Sequence, residues 1–411
     1  MKIYRGYTIA AVIFLSTGLS VGSVQYAFGE FSEPLRTHFD WSQTALNLSL
    51  SLAIISGIIA PIAGRAADRW GIRPVMGVSL LMIAAGFLFR PFITSLWHLY
   101  LLSACVFAGF PGATALPAGK LVSLWFPATK GRTMGAVISG NNFGGVILPS
   151  LAATLISSGG WQLGYVVFGA MMVLLSIVTL LIIREDEEIV EREMRISRRP
   201  MAQQASRRLM NDGMTLKQAL RSHRFWLIVG GLFGAAFTYQ GVLTQLRQHF
   251  VENEFTAPLS TTAITVIAAM GIGSKLAFGR ASERWTARIC CIVSIALQTT
   301  GLFIMSFADS VPVMWVGIIV FGMGFGGLGP LLVLIVQESF GMKEFGSIYG
   351  IVQLAITGAL ALSPALTGWL HDQTGSFDTA FLIIAAVFVT AMACLLAARD
   401  HSKDSMVKIY T

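Results

Sequence analysis

Gly64-Arg65-Ala66-Ala67-Asp68-Arg69-Trp70-Gly71-Ile72-Arg73 returns later in the chain as Gly279-Arg280-Ala281-Ser282-Glu283-Arg284-Trp285-Thr286-Ala287-Arg288. The first glycine, the acid, the arginines and the tryptophan are in register at an offset of 279 − 64 = 215 residues. A repeat of this kind speaks for the architecture of the whole chain. The same offset carries Gln25 to Gln240, Gly109-Phe110 to Gly324-Phe325, Gly131 and Gly135 to Gly346 and Gly350, and Pro149 to Pro364. The protein is therefore read as two tandem halves built on one plan.

The segments around these two loops are apolar. Of 411 residues 55% are hydrophobic and 12% charged, against roughly 25% charged in a soluble domain. Apolar runs of about twenty residues recur, which makes the chain a polytopic helical membrane protein whose partner is the lipid bilayer. The formal net charge is +8, but the basic residues lie between the spans, so no nucleic-acid partner is expected. Cys105, Cys290, Cys291 and Cys394 lie in or beside apolar runs without metal-ligand or secreted-disulfide spacing, and read as small packing residues. No nucleophile–base set or metal-ligand cluster falls mid-span, so neither an enzyme nor a cofactor is expected. The first apolar run follows Lys2 and Arg5 without a small-residue cleavage site and is read as retained.

Twelve spans are expected, near 8–30, 43–63, 74–94, 99–124, 132–156 and 161–183, then 225–247, 260–280, 288–308, 312–336, 345–369 and 377–398. Ser42 and the run Ser260-Thr261-Thr262 offer N-caps. The expected division is an N-terminal six-helix bundle (1–183), a linker (184–224), a C-terminal six-helix bundle (225–398) and a tail (399–411). The linker opens acidic at Glu185-Asp186-Glu187-Glu188 and turns basic at Arg198-Arg199 and Arg207-Arg208. Near its end, residues 215–220 suit a short amphipathic helix. One set of loops carries Arg65, Arg69, Arg73, Lys130, Arg132, the linker, Arg280, Arg284, Arg288 and Lys343, whereas the other has little beyond Arg36, Arg90 and Arg247. This asymmetry places the linker and both termini in the cytoplasm. The compact loops suggest a cell inner membrane.

Twelve spans in two parallel halves, a charged mid-chain loop and the pattern Gly64, Asp68, Arg69, Gly71, Arg73 together resemble the major facilitator superfamily, over nearly the whole chain. The resemblance implies two pseudo-symmetric six-helix bundles that rock about a central site. It also implies a latch at the cytoplasmic ends that holds the outward-open state, in which the acids Asp68 and Glu283 and the arginines Arg69, Arg73, Arg284 and Arg288 pair at helix ends; the alternative is that these arginines only anchor the topology. Thr286 stands where the second glycine would be, so the second turn is expected to be looser.

Polar groups present in only one half are the candidates for contact with an asymmetric substrate. Lys275 lies inside the eighth span, and its mate at 275 − 215 = 60 is Ala60. An ammonium in the hydrocarbon region costs about 2.5–3.5 kcal/mol on insertion scales, so it points at a partner or a cavity. Ala268 and Gly271 share its helix face as a small-residue wall. Lys275 is also within reach of the interface by snorkelling past Arg280. Lys120, in the fourth span, poses the same choice, and there snorkelling is the expectation. Asn141 and Asn142, opposite Ile356 and Thr357 in the repeat, either orient a carboxylate or bind a neighbouring helix. Gln353, opposite Ile138, is a further candidate. The run Gly322–Gly327 reads as close helix packing.

Val24-Gln25-Tyr26, Trp41-Ser42 and Trp125-Phe126-Pro127 with Gly131-Arg132 look like the monocarboxylate porter and oxalate/formate antiporter branch. Those relatives carry a cation four residues before the second-loop glycine, which implies that Lys275 binds the substrate anion, with Gln25 and Tyr26 lining its site. Gln25 and its mate Gln240 also read as helix–helix glue, and Tyr26 as packing. The second cation of the oxalate-type relatives falls on Ile356, and the aspartate of proton-coupled relatives on Gly271. One fixed charge favours a small monocarboxylate over a dianion, whose second carboxylate would be desolvated without a partner. Proton symport is expected only if Lys275 itself titrates. An organic-anion antiporter, a drug exporter and a non-transporting membrane receptor are the alternatives.

Overall fold

The computed structural model describes residues 4–185, 213–243 and 245–398. These residues are almost entirely helical, and the expected twelve-helix membrane architecture is present. The helices are α1 Arg5–Phe39, α2 Ala45–Trp70, α3 Ile72–Phe92 and α4 Leu96–Trp125. The stretch Lys130–Ile182 is broken at Gly159 and Gly160 into α5 (130–158) and α6 (161–182), because Gly160 has φ 77° and ends the first helix. After a short helix Leu216–Arg221 comes α7 (223–252), made of His223–Phe237, a π-helical turn Thr238–Val242, and Leu246–Glu252. The rest are α8 Ala257–Ala281, α9 Ala287–Ser306, α10 Val311–Phe340, α11 Phe345–Thr374 and α12 Phe377–Ala397. The amphipathic helix expected at 215–220 forms, closed by a capping box between Thr215 and Gln218.

Local signals set most boundaries. Ser42 accepts a hydrogen bond from the Ala45 N–H, as an N-cap should. The cap expected at Ser260-Thr261-Thr262 is displaced: α8 begins three residues earlier, behind Thr256, because Pro258 suits the first helical turn. The two repeated loops also turn differently. Gly71 takes φ 86° between α2 and α3, whereas Thr286 takes φ −69° and caps α9 through the Ile289 N–H. The second turn is thus not a looser copy of the first but an ordinary N-capped entry.

Each half repeats the same neighbours. α1 packs on α5 and α3 on α6, through Gly18, Gly22, Gly140 and Gly144 and through Gly77 and Gly169. In the second half α7 packs on α11 and α9 on α12. The run Gly322–Gly327 does pack closely: Gly324 lies against Ser294 and Gly326 against the Gly271 carbonyl. Apolar side chains such as Ile58, Ile62, Leu101, Val146 and Leu174 stay exposed on the outside of the bundle, where a bilayer covers them. The two halves meet along α2 with α11 and along α5 with α8.

Candidate functional site

The two inter-half crossings are copies of each other. Gly64 of α2 sits against the backbone of Gly346 in α11, and Gly131 of α5 sits against the carbonyl of Gly279 in α8. Farther in, Gly350 lies against the Ala60 carbonyl and Gly135 against the Lys275 carbonyl. None of these positions has room for a Cβ, so the backbones touch directly. At this depth the crossings differ in charge, with Ala60 in one and Lys275 in the other.

Lys275 is 9% exposed. Its ammonium donates to Oδ1 of Asn142, and the Asn142 amide nitrogen donates to the Ala268 carbonyl at 3.3 Å. Asn142 lies seven residues beyond Gly135 on α5, about 10 Å along the helix. The lysine side chain therefore runs inward, away from Arg280, which settles its direction against snorkelling. No carboxylate lies within ion-pair distance of it among the described residues. Asn141 presents a buried Oδ1 without a hydrogen-bond partner. One turn on, Gly145 carries the ring of Tyr26, which is half exposed, and Gln25 beside it is exposed. Gly271 is not part of an open wall: Phe325 of α10 covers it.

Gln25 and Tyr26 lie in a π-helical turn, Gly22–Tyr26, and the matching place in α7 holds the second such turn, Thr238–Val242. The side chain of Gln240, within it, lies outside the described residues. Turns of this kind recur at functional sites. Tyr239, in that turn, packs edge-on against Phe325 and lies close enough to Tyr26 and Tyr349 to interact electrostatically. Gln353 accepts from the Tyr349 hydroxyl at 3.2 Å. The structure thus brings Lys275 and Asn142 together, sets Tyr26 one turn from Asn141, and pairs Gln353 with Tyr349.

At the end bearing the repeated loops, here termed the basic end, the halves are closed on each other. Asp68 accepts from the Gly346 and Ser347 N–H groups at 3.0 and 2.7 Å, capping α11 of the other half. Glu283 accepts from the Arg132 N–H at 2.9 Å and from its guanidinium at 3.0 Å, capping α5. The two acids are related by the repeat, and so are the two helix starts, since 283 − 68 and 347 − 132 both equal 215. Helix N-termini favour negative charge. The acids therefore bridge the halves through helix N-termini, Asp68 at Gly346 and Ser347 and Glu283 at Arg132. Arg69 lies over the Trp70 ring, Arg73 donates to the Leu180 carbonyl at 2.8 Å within its own half, and Arg284 is exposed. Arg288 is buried close to the Glu338 carboxylate, which accepts from the Ala287 N–H.

Lys120 reaches toward the basic end and is paired there. Its ammonium lies 3.0 Å from Asp68 and donates to the Ala67 carbonyl. Ser123 donates to Gln337 across the halves at 2.7 Å, and Gln337 donates to the Gly119 carbonyl at 2.7 Å. Sequence reasoning missed these partners. The signal for Lys120 was the one used for Lys275, a cation whose mate is apolar (Ile335); for Ser123 and Gln337 there was none.

With this geometry in view, comparison with known proteins is informative. The Major Facilitator Superfamily profile matches residues 13–364. Monocarboxylate transporter 11 of Homo sapiens is 26% identical over 411 aligned positions, covering 94% of this chain and 81% of that protein. An uncharacterized MFS-type transporter, YhjX of Escherichia coli (strain K12), is 24% identical over 355 positions, with 82% of each chain covered. Among solved structures, the proton:xylose symporter XylE superposes with a TM-score of 0.76 at 15% identity, covering 96% of this chain and 95% of that one. FucP in the outward conformation gives 0.73 at 15% identity, covering 96% and 100%.

Proposed function

The chain belongs to the Major Facilitator Superfamily of transporters, and on that premise we propose that it carries small monocarboxylates, lactate- or pyruvate-like, across the cell membrane by alternating access. One observation carries the reading. The Lys275 ammonium is buried at the α5–α8 crossing against a neutral amide, with no acid beside it among the described residues. A buried cation without a counter-ion is costly, and a bound carboxylate supplies one. A single fixed charge suits a single carboxylate; a second carboxylate in the same place would be desolvated without a partner. Tyr26, Gln25 and Asn141, one to two turns away, then contact the organic part, and Gln240 and Gln353 are the candidates from the second half. The relatives named monocarboxylate transporters support this choice of substrate class.

Positive loops face the cytoplasm. On that rule the closed basic end is cytoplasmic, both termini are inside the cell (inner) membrane, and the described state opens outward. Asp68 and Glu283 act as the latches of this state, whereas Arg69, Arg73, Arg284 and Arg288 support the loops and the topology. The two rocking bodies are residues 1–183 and 225–398, joined by 184–224.

Uptake of labelled lactate into proteoliposomes tests the proposal. Wild type takes up the label saturably, and Lys275→Gln lowers uptake at least about tenfold, the scale of losing a charge-assisted hydrogen bond. An imposed pH gradient speeds uptake if a proton is co-transported. Equal uptake by both proteins would remove Lys275 from the site.

A further inference from the structure

The polar pair at the α5–α8 crossing is not needed to close it. The twin crossing of α2 with α11 has Ala60 where Lys275 stands and Thr357 where Asn142 stands, and Thr357 packs on Gly57 while its hydroxyl donates to the Gln353 carbonyl of its own helix. Two helices that meet backbone to backbone through Gly131, Gly135 and Gly279 do not require a buried lysine to hold them. The pair therefore does something that its uncharged twin does not.

Asn142 is held at both ends. Its amide nitrogen is bonded to the Ala268 carbonyl and its oxygen to the Lys275 ammonium, so it spans two turns of α8 from a position on α5. Its oxygen meets the ammonium as one oxygen of a carboxylate would. The difference is charge: against the same ammonium an ionised carboxylate adds a charge–charge attraction that the neutral amide oxygen lacks. We infer that Asn142 is an internal stand-in for the substrate carboxylate, occupying Lys275 while the carrier is empty and giving it up when substrate binds. This rests on the reading of Lys275 as the substrate's counter-charge.

The exchange links occupancy to movement. While Asn142 holds Lys275, α5 and α8 are tied at this depth by two side-chain bonds. When the substrate takes the ammonium, only the bond to the Ala268 carbonyl, at 3.3 Å, remains. A ligand shifts a conformational equilibrium only through a difference in affinity between states. Here the difference arises because the ammonium's bond to Asn142 is itself a bond between the halves. The empty carrier keeps its tie, and the loaded carrier has loosened it. Asn142 is on this account a positioning residue that competes with substrate rather than one that grips it.

The test uses purified, reconstituted protein and measures lactate affinity alongside the labelling rate of a cysteine at Ser123, which is buried in the closed basic end. Asn142→Leu removes the competitor, so lactate binds at least about tenfold more tightly, the scale of one hydrogen bond to a charged group. In this variant lactate no longer accelerates labelling at position 123, because the tie is already gone. Asn142→Asp places an ionised competitor inside the site, and lactate affinity falls at least about tenfold. Thermal unfolding confirms that each variant is folded, and the leucine variant alone decides the matter if the aspartate variant is not. Weaker or unchanged lactate binding by Asn142→Leu overturns the stand-in role. If Lys275→Gln has meanwhile abolished binding, the site reading survives that result; if Lys275→Gln binds lactate like wild type, both fall.

Discussion

Asp68 occupies a position of unusual electrostatic demand for one side chain. Its carboxylate is 10% exposed and is shared between the start of α11 in the opposite half and the ammonium of Lys120 in its own. A carboxylate that accepts two backbone N–H bonds at a helix N-terminus and also faces a cation cannot be replaced by its amide without loss. Asp68→Asn should therefore weaken closure of the basic end by about 1.5–3 kcal/mol, the range for hydrogen bonds to charged groups. The expected result is at least about tenfold faster labelling of a cysteine at Ser123 from the basic side, with protein yield unchanged. Lys120→Met should act in the same direction, and the pair Asp68→Asn with Lys120→Met should be less than additive, since both remove one shared contact. At this scale the sequence was partly legible. It marked Asp68 and Glu283 as the acids that matter, because they recur. It did not point to their partners across the halves, because those are neighbours in the fold and not along the chain. The actual partners, Ser347, Gly346 and Arg132, are on helices brought in by the fold, and a helix N-terminus carries no charge in the sequence. Lys275 was legible for the opposite reason: its apolar mate Ala60 exposed it as an addition to a shared scaffold. Its direction was not, because a lysine near an interface reaches either way.

Whole helices are held at the crossings by glycine. Gly64 faces the Gly346 carbonyl, and Gly346 faces that of Gly64. A side chain at Gly64 would meet only backbone, and one at Gly346 would meet the Gly64 backbone and the Asp68 carboxylate that caps its helix. Gly64→Val should prevent the basic end from closing, with the overpacking cost of about 1–3 kcal/mol falling on the closed state alone. The expected outcome is a folded protein with lost uptake and rapid labelling at Ser123, whereas Gly29→Val, at a position with nothing around it, should leave uptake near wild type. Element positions were mostly legible because apolar length and glycine breaks act locally; the gap between the fifth and sixth spans coincides with Gly159-Gly160. The two π-helical turns were not. Nothing in Gly22–Tyr26 or Thr238–Val242 announces a widened turn, because it arises from packing against the neighbouring helices. The start of α8 moved for a simpler reason, since Pro258 outranks the hydroxyl run that follows it.

On the scale of the molecule, one operation generates both interfaces: whatever α2 offers α11, α8 offers α5. This symmetry gives the closed basic end two equivalent latches and leaves the centre free to be asymmetric, with Lys275 and Asn142 in one crossing and Ala60 and Thr357 in the other. A carrier that rocks about such a centre must break the contacts at the basic end in every cycle. Ser123 and Gln337 offer a way to forbid that without touching the site. They bridge α4 and α10 side chain to side chain at 2.7 Å, and both are buried. With Cys105, Cys290, Cys291 and Cys394 replaced by serine or alanine, Ser123→Cys and Gln337→Cys can be joined by a short bifunctional thiol reagent, since a direct disulfide needs Cβ atoms within about 4.5 Å and glutamine reaches across a wider gap. With a bis-methanethiosulfonate as the reagent, which attaches through reducible disulfides, the joined protein should lose uptake and recover it on reduction, while each single-cysteine variant treated in the same way keeps it. Lactate should still bind to the joined protein, because the site at Lys275 is approached from the opposite end. Persistent uptake after complete joining would mean that the basic end need not open, and rocking about the Lys275 crossing would have to be abandoned. Loss of binding together with uptake would instead place the entrance at the basic end and reverse the orientation of the carrier.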